Sequence, residues 1–166
     1  NSDTKNVGMV SIEGGSITGN SSTQGGALHV AGGTVNFTGG TIGGSAALAN
    51  TSPLGGAIYV SSGTVNVDGG NIKYNNATTG GGAVFMTGGT VNVIATSNYS
   101  YIESNTAENG GAFYAEGGTI NISKGYLRSN SASRNGGAIY AIGGTINASG
   151  GEIKGNTATN GNGGML

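Results

Sequence analysis

Carboxylates are the first residues to consider for chemistry, because a pair of them can act as general acid and base in glycoside hydrolysis. The seven acids are Asp3, Glu13, Asp68, Glu103, Glu108, Glu116 and Glu152. Glu103 and Glu108 alone lie close in sequence, and the closely spaced aspartates of calcium-binding loops are missing. His29, the single histidine, has no nearby Ser, Cys or carboxylate partner in its repeat. The sequence therefore predicts a non-enzymatic protein without catalytic residues, metal sites or cofactors.

Aromatic rings recur at one position of a repeated pattern and provide the candidate binding site. The residues of this aromatic ladder are His29, Tyr59, Phe85, Tyr114 and Tyr140. If the position faces solvent, the rings can stack on sugar rings or anchor a protein partner. The alternative is that they only stabilise a sheet by cross-strand stacking.

Two further columns of polar residues are predicted to face outward. One pairs Thr34, Thr64, Thr90, Thr119 and Thr145 with Asn36, Asn66, Asn92, Asn121 and Asn147. Rows of threonine on a flat β-helix face resemble ice-binding surfaces, but solvent-facing residues of high β-propensity explain the same pattern. In the other column Lys73, Glu103 and Arg128 alternate in sign, which predicts cross-strand ion pairs.

These columns exist because the chain repeats itself. Gly-Gly-Ala begins at Gly25, Gly55, Gly81, Gly110 and Gly136, at intervals of 26 to 30 residues. The repeat at residues 55–80 contains three stretches of period-2 alternation, at 57–60, 64–67 and 71–74, separated by turn-forming residues. Such alternation predicts strands. A fixed period predicts a solenoid built from stacked copies of one unit.

Apolar positions also match from repeat to repeat, which predicts parallel, in-register strands about 4.8 Å apart. The fold class we expect is all-β: a right-handed single-stranded parallel β-helix with three short strands per coil and about six coils. The hand follows from the preference of parallel connections for right-handed crossovers. We expect residues 1–166 to be one β-helix segment of a longer protein.

The third strand of each repeat ends in an apolar-x-x-Asn motif. The asparagines are Asn20, Asn75, Asn105, Asn130 and Asn156, and the second repeat is read with Ser45 at this place and Ala47 two residues later. Asparagine tolerates left-handed backbone geometry, and stacked carboxamides can satisfy buried backbone groups at a corner. The motif is therefore interpreted as structural.

Composition excludes several classes of partner and site. The chain has 37 glycines in 166 residues, six basic and seven acidic residues, and no cysteine. Without a basic cluster, nucleic-acid binding is not expected. No apolar segment has the length of a transmembrane helix, so no membrane insertion is expected of this segment. Zinc sites with cysteine ligands and disulfides are excluded.

Two repeats contain extra residues, around 48–54 and around 95–101. Insertions in a solenoid form loops on one edge, so we expect any binding specificity there. Seven Asn-x-Ser/Thr sequons occur, at Asn20, Asn36, Asn50, Asn76, Asn98, Asn121 and Asn147. They matter only in a source that glycosylates secreted proteins.

The combination of Gly-Gly-Ala-apolar with apolar-x-x-Asn resembles the polymorphic outer membrane proteins of the chlamydial type. Their hallmark is GGA[ILV] with FxxN; here the motifs read GGAL, GGAI, GGAV, GGAF and GGAI, with ITGN, IKYN, IESN, LRSN and IKGN. Those proteins are autotransporter adhesins with a right-handed β-helix passenger. The resemblance implies an extracellular or cell-surface segment, an adhesin or structural stalk that binds host or matrix partners.

The partner in that interpretation is a protein or glycan on another surface. The alternative is an extracellular filament in which copies of the segment stack end to end. A carbohydrate-active enzyme and an ice-binding protein are the remaining alternatives.

Overall fold

A computed structural model describes residues 8–96 and 98–166, which form short parallel strands and one 3₁₀ turn (Ala46–Leu48). The first ten strands are β1 (Met9–Ile12), β2 (Ser16–Ile17), β3 (Leu28–Phe37), β4 (Thr41–Gly43), β5 (Thr51–Leu54), β6 (Ile58–Val67), β7 (Asn71–Lys73), β8 (Asn76–Gly80), β9 (Val84–Met86) and β10 (Thr90–Val93). The next ten are β11 (Tyr101–Glu103), β12 (Thr106–Ala107), β13 (Phe113–Ala115), β14 (Thr119–Ile122), β15 (Tyr126–Arg128), β16 (Ser131–Ala132), β17 (Ile139–Ala141), β18 (Thr145–Ala148), β19 (Glu152–Lys154) and β20 (Thr157–Ala158).

The strands form three parallel sheets that run along the stack. Sheet A has the order β17-β13-β9-β6-β10-β14-β18, with β3 beside β6 and β1 beside β3. Sheet B is β19-β15-β11-β7-β4-β2, and sheet C is β20-β16-β12-β8-β5. From β3 onward, each coil passes through the three sheets in turn. The predicted fold class, an all-β parallel β-helix with about six coils, is confirmed.

The sequence predicts three separate strands in each repeat, and the structure distributes them among the sheets differently. The first two alternating stretches of a repeat lie in one sheet, because β3 and β6 run through both of them. The two strands pair with register shifts around Ala31, so the chain bends there without leaving the sheet. Sheet C is built from the residues after the Asn motif, and three of its strands, β12, β16 and β20, have two residues each, too few to show alternation.

The apolar positions that match from repeat to repeat fill the core. Ile58 pairs with Val84, and Phe113 pairs with Ile139, each in parallel register with its counterpart one coil away. All four side chains are fully buried. Burial of such a side chain contributes about 1.5–3 kcal/mol, so this repeated stacking is the main source of stability.

The Gly-Gly-Ala motif marks a corner where no side chain fits. Gly81 has φ +65°, and a Cβ there would lie 2.2 Å from the carbonyl oxygen of Val84. A Cβ on Gly82 would lie 2.3 Å from the carbonyl oxygen of Gly111 in the next coil. The first glycine is therefore needed for its conformation and the second for close approach of neighbouring coils.

A ladder of asparagines follows sheet B from coil to coil. Its members are Asn20, Asn50, Asn75, Asn105, Asn130 and Asn156. Asn75 Nδ2 donates to Asn105 Oδ1 at 3.0 Å and to the Ile42 carbonyl at 3.0 Å. The Asn75 backbone N–H also donates to Asn105 Oδ1, at 2.9 Å. The ladder therefore satisfies both side chains and backbone at a buried corner, as predicted.

One position of this ladder was assigned wrongly from the sequence. Asn50, not Ser45, occupies it in the second repeat, and Ser52, not Ala47, pairs with Ala77 in the neighbouring coil. The extra residues precede Asn50 and include the 3₁₀ turn. The predicted insertion at 48–54 is therefore placed too far along the chain, because Thr51–Leu54 is strand β5 of sheet C.

Left-handed backbone geometry falls on the residue before the asparagine. Tyr74, Ser104 and Ser129 have φ of 59°, 54° and 54°, and Gly19 and Gly155 occupy the same place in other coils. The residues after them keep the carboxamides directed into the corner. Ala95, in the loop after β10, is the other non-glycine residue with a positive φ, 46°, among those that the structure describes.

Candidate functional site

The aromatic ladder forms a continuous stack on sheet A. His29 meets Tyr59 edge-on with centroids 5.0 Å apart, Tyr59 stacks on Phe85 at 5.6 Å, and Phe85 stacks on Tyr114 at 4.7 Å. Tyr140 is tilted against Tyr114 at 5.1 Å. The parallel register of sheet A places the five residues side by side, since each is the second residue of equivalent strand segments.

Most of the ladder surface is used by the rings themselves. Tyr59 is 7% exposed and Phe85 2% exposed, while Tyr114 and Tyr140 are half-buried and His29 is exposed. Burial, with contributions from Glu116 and Tyr140, raises the pKa of Tyr114 above its ordinary value. The stacking stabilises the sheet, and the binding role of the ladder stays a prediction.

A second group of aromatic rings lies on the outer side of sheet B and is more open. This tyrosine cluster consists of Tyr99, Tyr101 and Tyr126. Tyr101 and Tyr126 stack with centroids 5.0 Å apart and planes 10° apart. Tyr99 is tilted against both, at 6.4 Å and 5.3 Å, and is 65% exposed. The cluster therefore presents ring surface to solvent.

The cluster results from one regular feature and one irregular feature of the repeat. Parallel pairing places Tyr101 of β11 beside Tyr126 of β15, and Tyr126 beside Glu152 of β19. Tyr99 belongs to the loop 94–100 between β10 and β11, whereas residues 123–125 make the same connection one coil later. The longer loop brings a third ring onto the regular pair.

The loop 94–100 is held to the turn beneath it. The backbone N–H and hydroxyl of Thr96 both donate to the Asp68 carboxylate. Ser100 is fully buried, and its hydroxyl accepts from Gly69 N–H at 2.8 Å and donates to the Val67 carbonyl at 3.3 Å. The two anchored residues, Thr96 and Ser100, lie on either side of Tyr99 in the sequence.

Charged side chains surround the cluster. Arg128 lies 4.6 Å from the Tyr101 ring centroid and 5.7 Å from that of Tyr126, and its Nε donates to Glu103 at 2.7 Å. This hydrogen bond raises the pKa of Arg128, although burial opposes the shift. Burial and then the neighbouring tyrosines Tyr99 and Tyr101 raise the pKa of Tyr126.

The predicted ion-pair column is confirmed in one of its pairs. Arg128 pairs with Glu103 across the sheet, as predicted. Lys154 instead pairs with Glu152 of its own strand, and Lys73 takes part in no ion pair of residues 8–96 and 98–166. Glu103 lies beside Lys73 in the paired strands but bonds Arg128 on its other side.

A shallow cleft of about 190 Å³ lies next to the tyrosine cluster. It is lined by Ala95, Tyr99, Lys124, Gly125, Tyr126, Gly151 and Glu152. A wider hollow of about 450 Å³ adjoins it on the loop side, lined by Ala95, Thr96, Asn98, Tyr99 and Lys124. The cleft offers two tyrosine rings, the Lys124 ammonium and the Glu152 carboxylate, and these groups can contact a ligand.

Within the described ranges no group of three or more His, Cys, Asp or Glu side chains is placed to hold a metal ion. None of the helical structure described is long and apolar enough to cross a membrane.

The Thr/Asn face of sheet A has the predicted register, with Thr64, Thr90 and Thr119 side by side. Its asparagines also bond one another, with four Nδ2–Oδ1 hydrogen bonds of 2.8 Å along the column from Asn36 to Asn147. These hydrogen bonds link neighbouring strands of sheet A and therefore stabilise it. Among the sequon asparagines, Asn50 is fully buried, whereas Asn98 is exposed on the loop.

Sequence reasoning missed the tyrosine cluster, although it placed specificity in the insertion that carries Tyr99. The available signal was the residue before the inward position of the third strand, which is Tyr101 in one coil and Tyr126 in the next. Aligned aromatics beside an insertion would have marked the site.

Comparison with known proteins agrees with the repeat pattern. The profile of the Chlamydia polymorphic membrane protein repeat matches residues 126–142. This stretch contains Leu127-x-x-Asn130 and Gly136-Gly137-Ala138-Ile139, and it passes from β15 through β16 into β17. No curated protein and no solved structure gives a significant match to the chain.

The fold and its repeats define the chain as a parallel β-solenoid repeat protein. More particularly, it is a β-helix repeat protein similar to the chlamydial polymorphic membrane proteins. Polymorphic membrane proteins themselves are typically non-enzymatic proteins of the cell surface.

Proposed function

We propose that this segment is a non-enzymatic, extracellular adhesin module that binds a partner on another surface through the tyrosine cluster. The observation that carries the proposal is the exposed Tyr99, set against the stacked pair Tyr101 and Tyr126 at the edge of a cleft. Aromatic side chains with exposed faces are the residues that most often dominate binding energy in protein interfaces.

Rigidity of the site supports the same function. The stacked tyrosines sit on two neighbouring coils of a packed β-helix, and the loop carrying Tyr99 is anchored at Thr96 and Ser100. A preformed site loses little conformational entropy when a partner binds. The long parallel faces of the solenoid suit the role of a stalk that carries such a site away from a membrane.

Attachment of segment-coated beads to cells or matrix tests the proposal. We expect beads carrying the wild-type segment to attach, and soluble segment to displace them. The double variant Tyr99→Ala/Tyr126→Ala should reduce attachment at least about tenfold, because loss of a dominant aromatic contact costs about 2 kcal/mol or more. Circular dichroism confirms that the variant is folded.

Tyr74→Asn is the matched control, because Tyr74 is an exposed tyrosine outside the cluster and has a left-handed backbone that Asn tolerates. It should attach like wild type. If wild-type beads do not attach to any surface tested, the adhesin function is wrong. If they attach and both variants attach equally well, the adhesin function stands and the site is wrong.

The filament alternative is separated by light scattering on the same preparations. An adhesin module gives a constant particle mass as its concentration rises. Rods that lengthen with concentration, while bead attachment fails, would favour end-to-end assembly in place of adhesion.

A further inference from the structure

We infer that the cleft beside the tyrosine cluster binds one neutral pyranose ring of a glycan, an inference whose biological role rests on the proposed adhesin function. The cleft combines two tyrosine rings with one ammonium group and one carboxylate. That combination matches a sugar ring, which has an apolar face of C–H bonds and polar hydroxyl groups.

The ring surfaces suit the apolar face of a pyranose. Tyr99 and Tyr126 both line the cleft, with centroids 5.3 Å apart and planes 52° apart. Two rings at this angle form a corner. Their faces do not cover each other as they would in a parallel stack, so a ligand can contact both. The weakly positive C–H bonds on one face of a pyranose meet the negative face of an aromatic ring favourably.

The polar groups suit sugar hydroxyls. A hydroxyl both donates and accepts, and the cleft offers the Lys124 ammonium as donor and the Glu152 carboxylate as acceptor. Lys124 is exposed and takes part in none of the ion pairs of residues 8–96 and 98–166. A purely apolar occupant would remove water from both charged groups without replacing their hydrogen bonds, which is costly.

The charges argue for a neutral sugar. Lys124 alone would favour an acidic sugar, but Glu152 lines the same cleft and would repel a carboxylate or sulfate. Lys154 pairs with Glu152 and offsets part of its charge without removing the carboxylate from the cleft lining. With one group of each sign at the site, an uncharged ring has the better match.

The dimensions indicate a single ring with room for a neighbour. The cleft of about 190 Å³ is smaller than the roughly 300–1,000 Å³ of sites that hold drug-sized ligands. The adjoining hollow of about 450 Å³ is lined by Thr96 and Asn98, whose side chains can bond hydroxyls of a second sugar. A terminal sugar in the cleft, with its chain leaving through the hollow, fits this geometry.

The test is a glycan array followed by titration with the best-bound neutral monosaccharide. The chain has seven tyrosines and no tryptophan, so its intrinsic emission reports on tyrosine environments directly. We expect saturable binding with a dissociation constant on the order of 1 mM, as befits a small ligand. Tyr99→Ala should weaken binding at least about tenfold, whereas Tyr99→Phe should retain it. Tyr74→Asn is the control and should bind like wild type.

Two polar variants test the hydroxyl contacts. Glu152→Gln and Lys124→Met should each weaken binding about three- to tenfold, because each removes one charged hydrogen-bond partner. Unchanged affinity in Tyr99→Ala would overturn the site, as would the absence of any bound glycan on the array. A preference for carboxylated or sulfated sugars that is lost in Lys124→Met would overturn the assignment to a neutral ring.

Failure of this inference can be told from failure of the adhesin function. Bead attachment that resists free sugar and enzymatic removal of surface glycans would overturn the glycan ligand and leave adhesion in place. Sugar binding without attachment to any surface would support the cleft ligand and contradict the adhesin function.

Discussion

At Asn105 one carboxamide makes four hydrogen bonds. Its Nδ2 donates to the Ile72 carbonyl and to Asn130 Oδ1, and its Oδ1 accepts from the backbone N–H and from Nδ2 of Asn75. The side chain is fully buried, so no water is available as a substitute partner. Asn121 also belongs to an asparagine ladder, but it is half-buried and bonds side chains only.

These two ladders predict different costs for the same substitution. Asn105→Ala should lower the free energy of unfolding by at least about 3 kcal/mol, since each buried polar group left unpaired costs about 1–3 kcal/mol. Asn121→Ala, the matched control, should cost about 1 kcal/mol because water can replace its partner. Urea denaturation measures both. Equal costs would contradict the structural role assigned to the buried ladder.

The left-handed residues before the buried asparagines predict stabilising substitutions. Ser104→Gly and Ser129→Gly should each raise the unfolding free energy by about 1 kcal/mol, because glycine adopts positive φ without the penalty of a Cβ. Ser123→Gly is the control: Ser123 has no left-handed φ, so glycine there should be neutral or destabilising. Thermal unfolding of the three variants provides the measurement, and a fall in midpoint for Ser104→Gly would refute the strain argument.

At this scale the sequence predicted the inward apolar columns, which depend on period 2, but not the outward pair Tyr101 and Tyr126. The inward positions of Ile58, Val84 and Phe113 followed from alternation alone. The place of Asn50 did not, because the extra residues before it adopt a 3₁₀ turn that leaves the motif without its usual spacing. The spacing from the preceding apolar residue favoured Ser45 for this position of the ladder. In the structure Asn50 occupies it, because Asn50 makes the hydrogen bonds to Asn75 of the next coil.

Among the elements, the loop 94–100 carries the site and depends on Asp68 of the previous coil. Asp68→Ala should increase hydrogen exchange of the loop amides and weaken binding at the tyrosine cluster. We expect only about 1–2 kcal/mol of lost stability, because the contact is exposed to solvent.

Glu108→Ala is the control for a general charge effect. Glu108 pairs with Arg134 at the surface, 3.0 Å apart, away from the loop. Its loss should cost less than about 1 kcal/mol and leave exchange in the loop 94–100 unchanged. Equal exchange in both variants would show that Asp68 does not hold the loop.

The sequence located this loop but not the cluster it completes. An extra length of chain is visible in any alignment of the repeats. The direction of Tyr99 is not visible in such an alignment. It depends on hydrogen bonds from Thr96 and Ser100 to residues about 28–33 positions earlier. Sheet C was likewise missed, since three of its five strands have two residues and show no periodicity.

For the whole molecule, repetition encodes the scaffold and departure from repetition encodes the site. Matching apolar columns and Gly-Gly-Ala corners require one architecture, which explains why the fold could be predicted. The aromatic ladder follows the repeat and is mostly buried in its own stacking. The tyrosine cluster arises where an insertion breaks the repeat, and it is the more exposed of the two.

The measurement that tests this account most directly is hydroxyl-radical footprinting of the segment, alone and bound to a surface to which it adheres. We predict that Tyr99 is strongly protected on binding, while Tyr74 and Tyr140 keep their reactivity. Protection of Tyr140 with no change at Tyr99 would contradict the account and assign binding to the aromatic ladder instead.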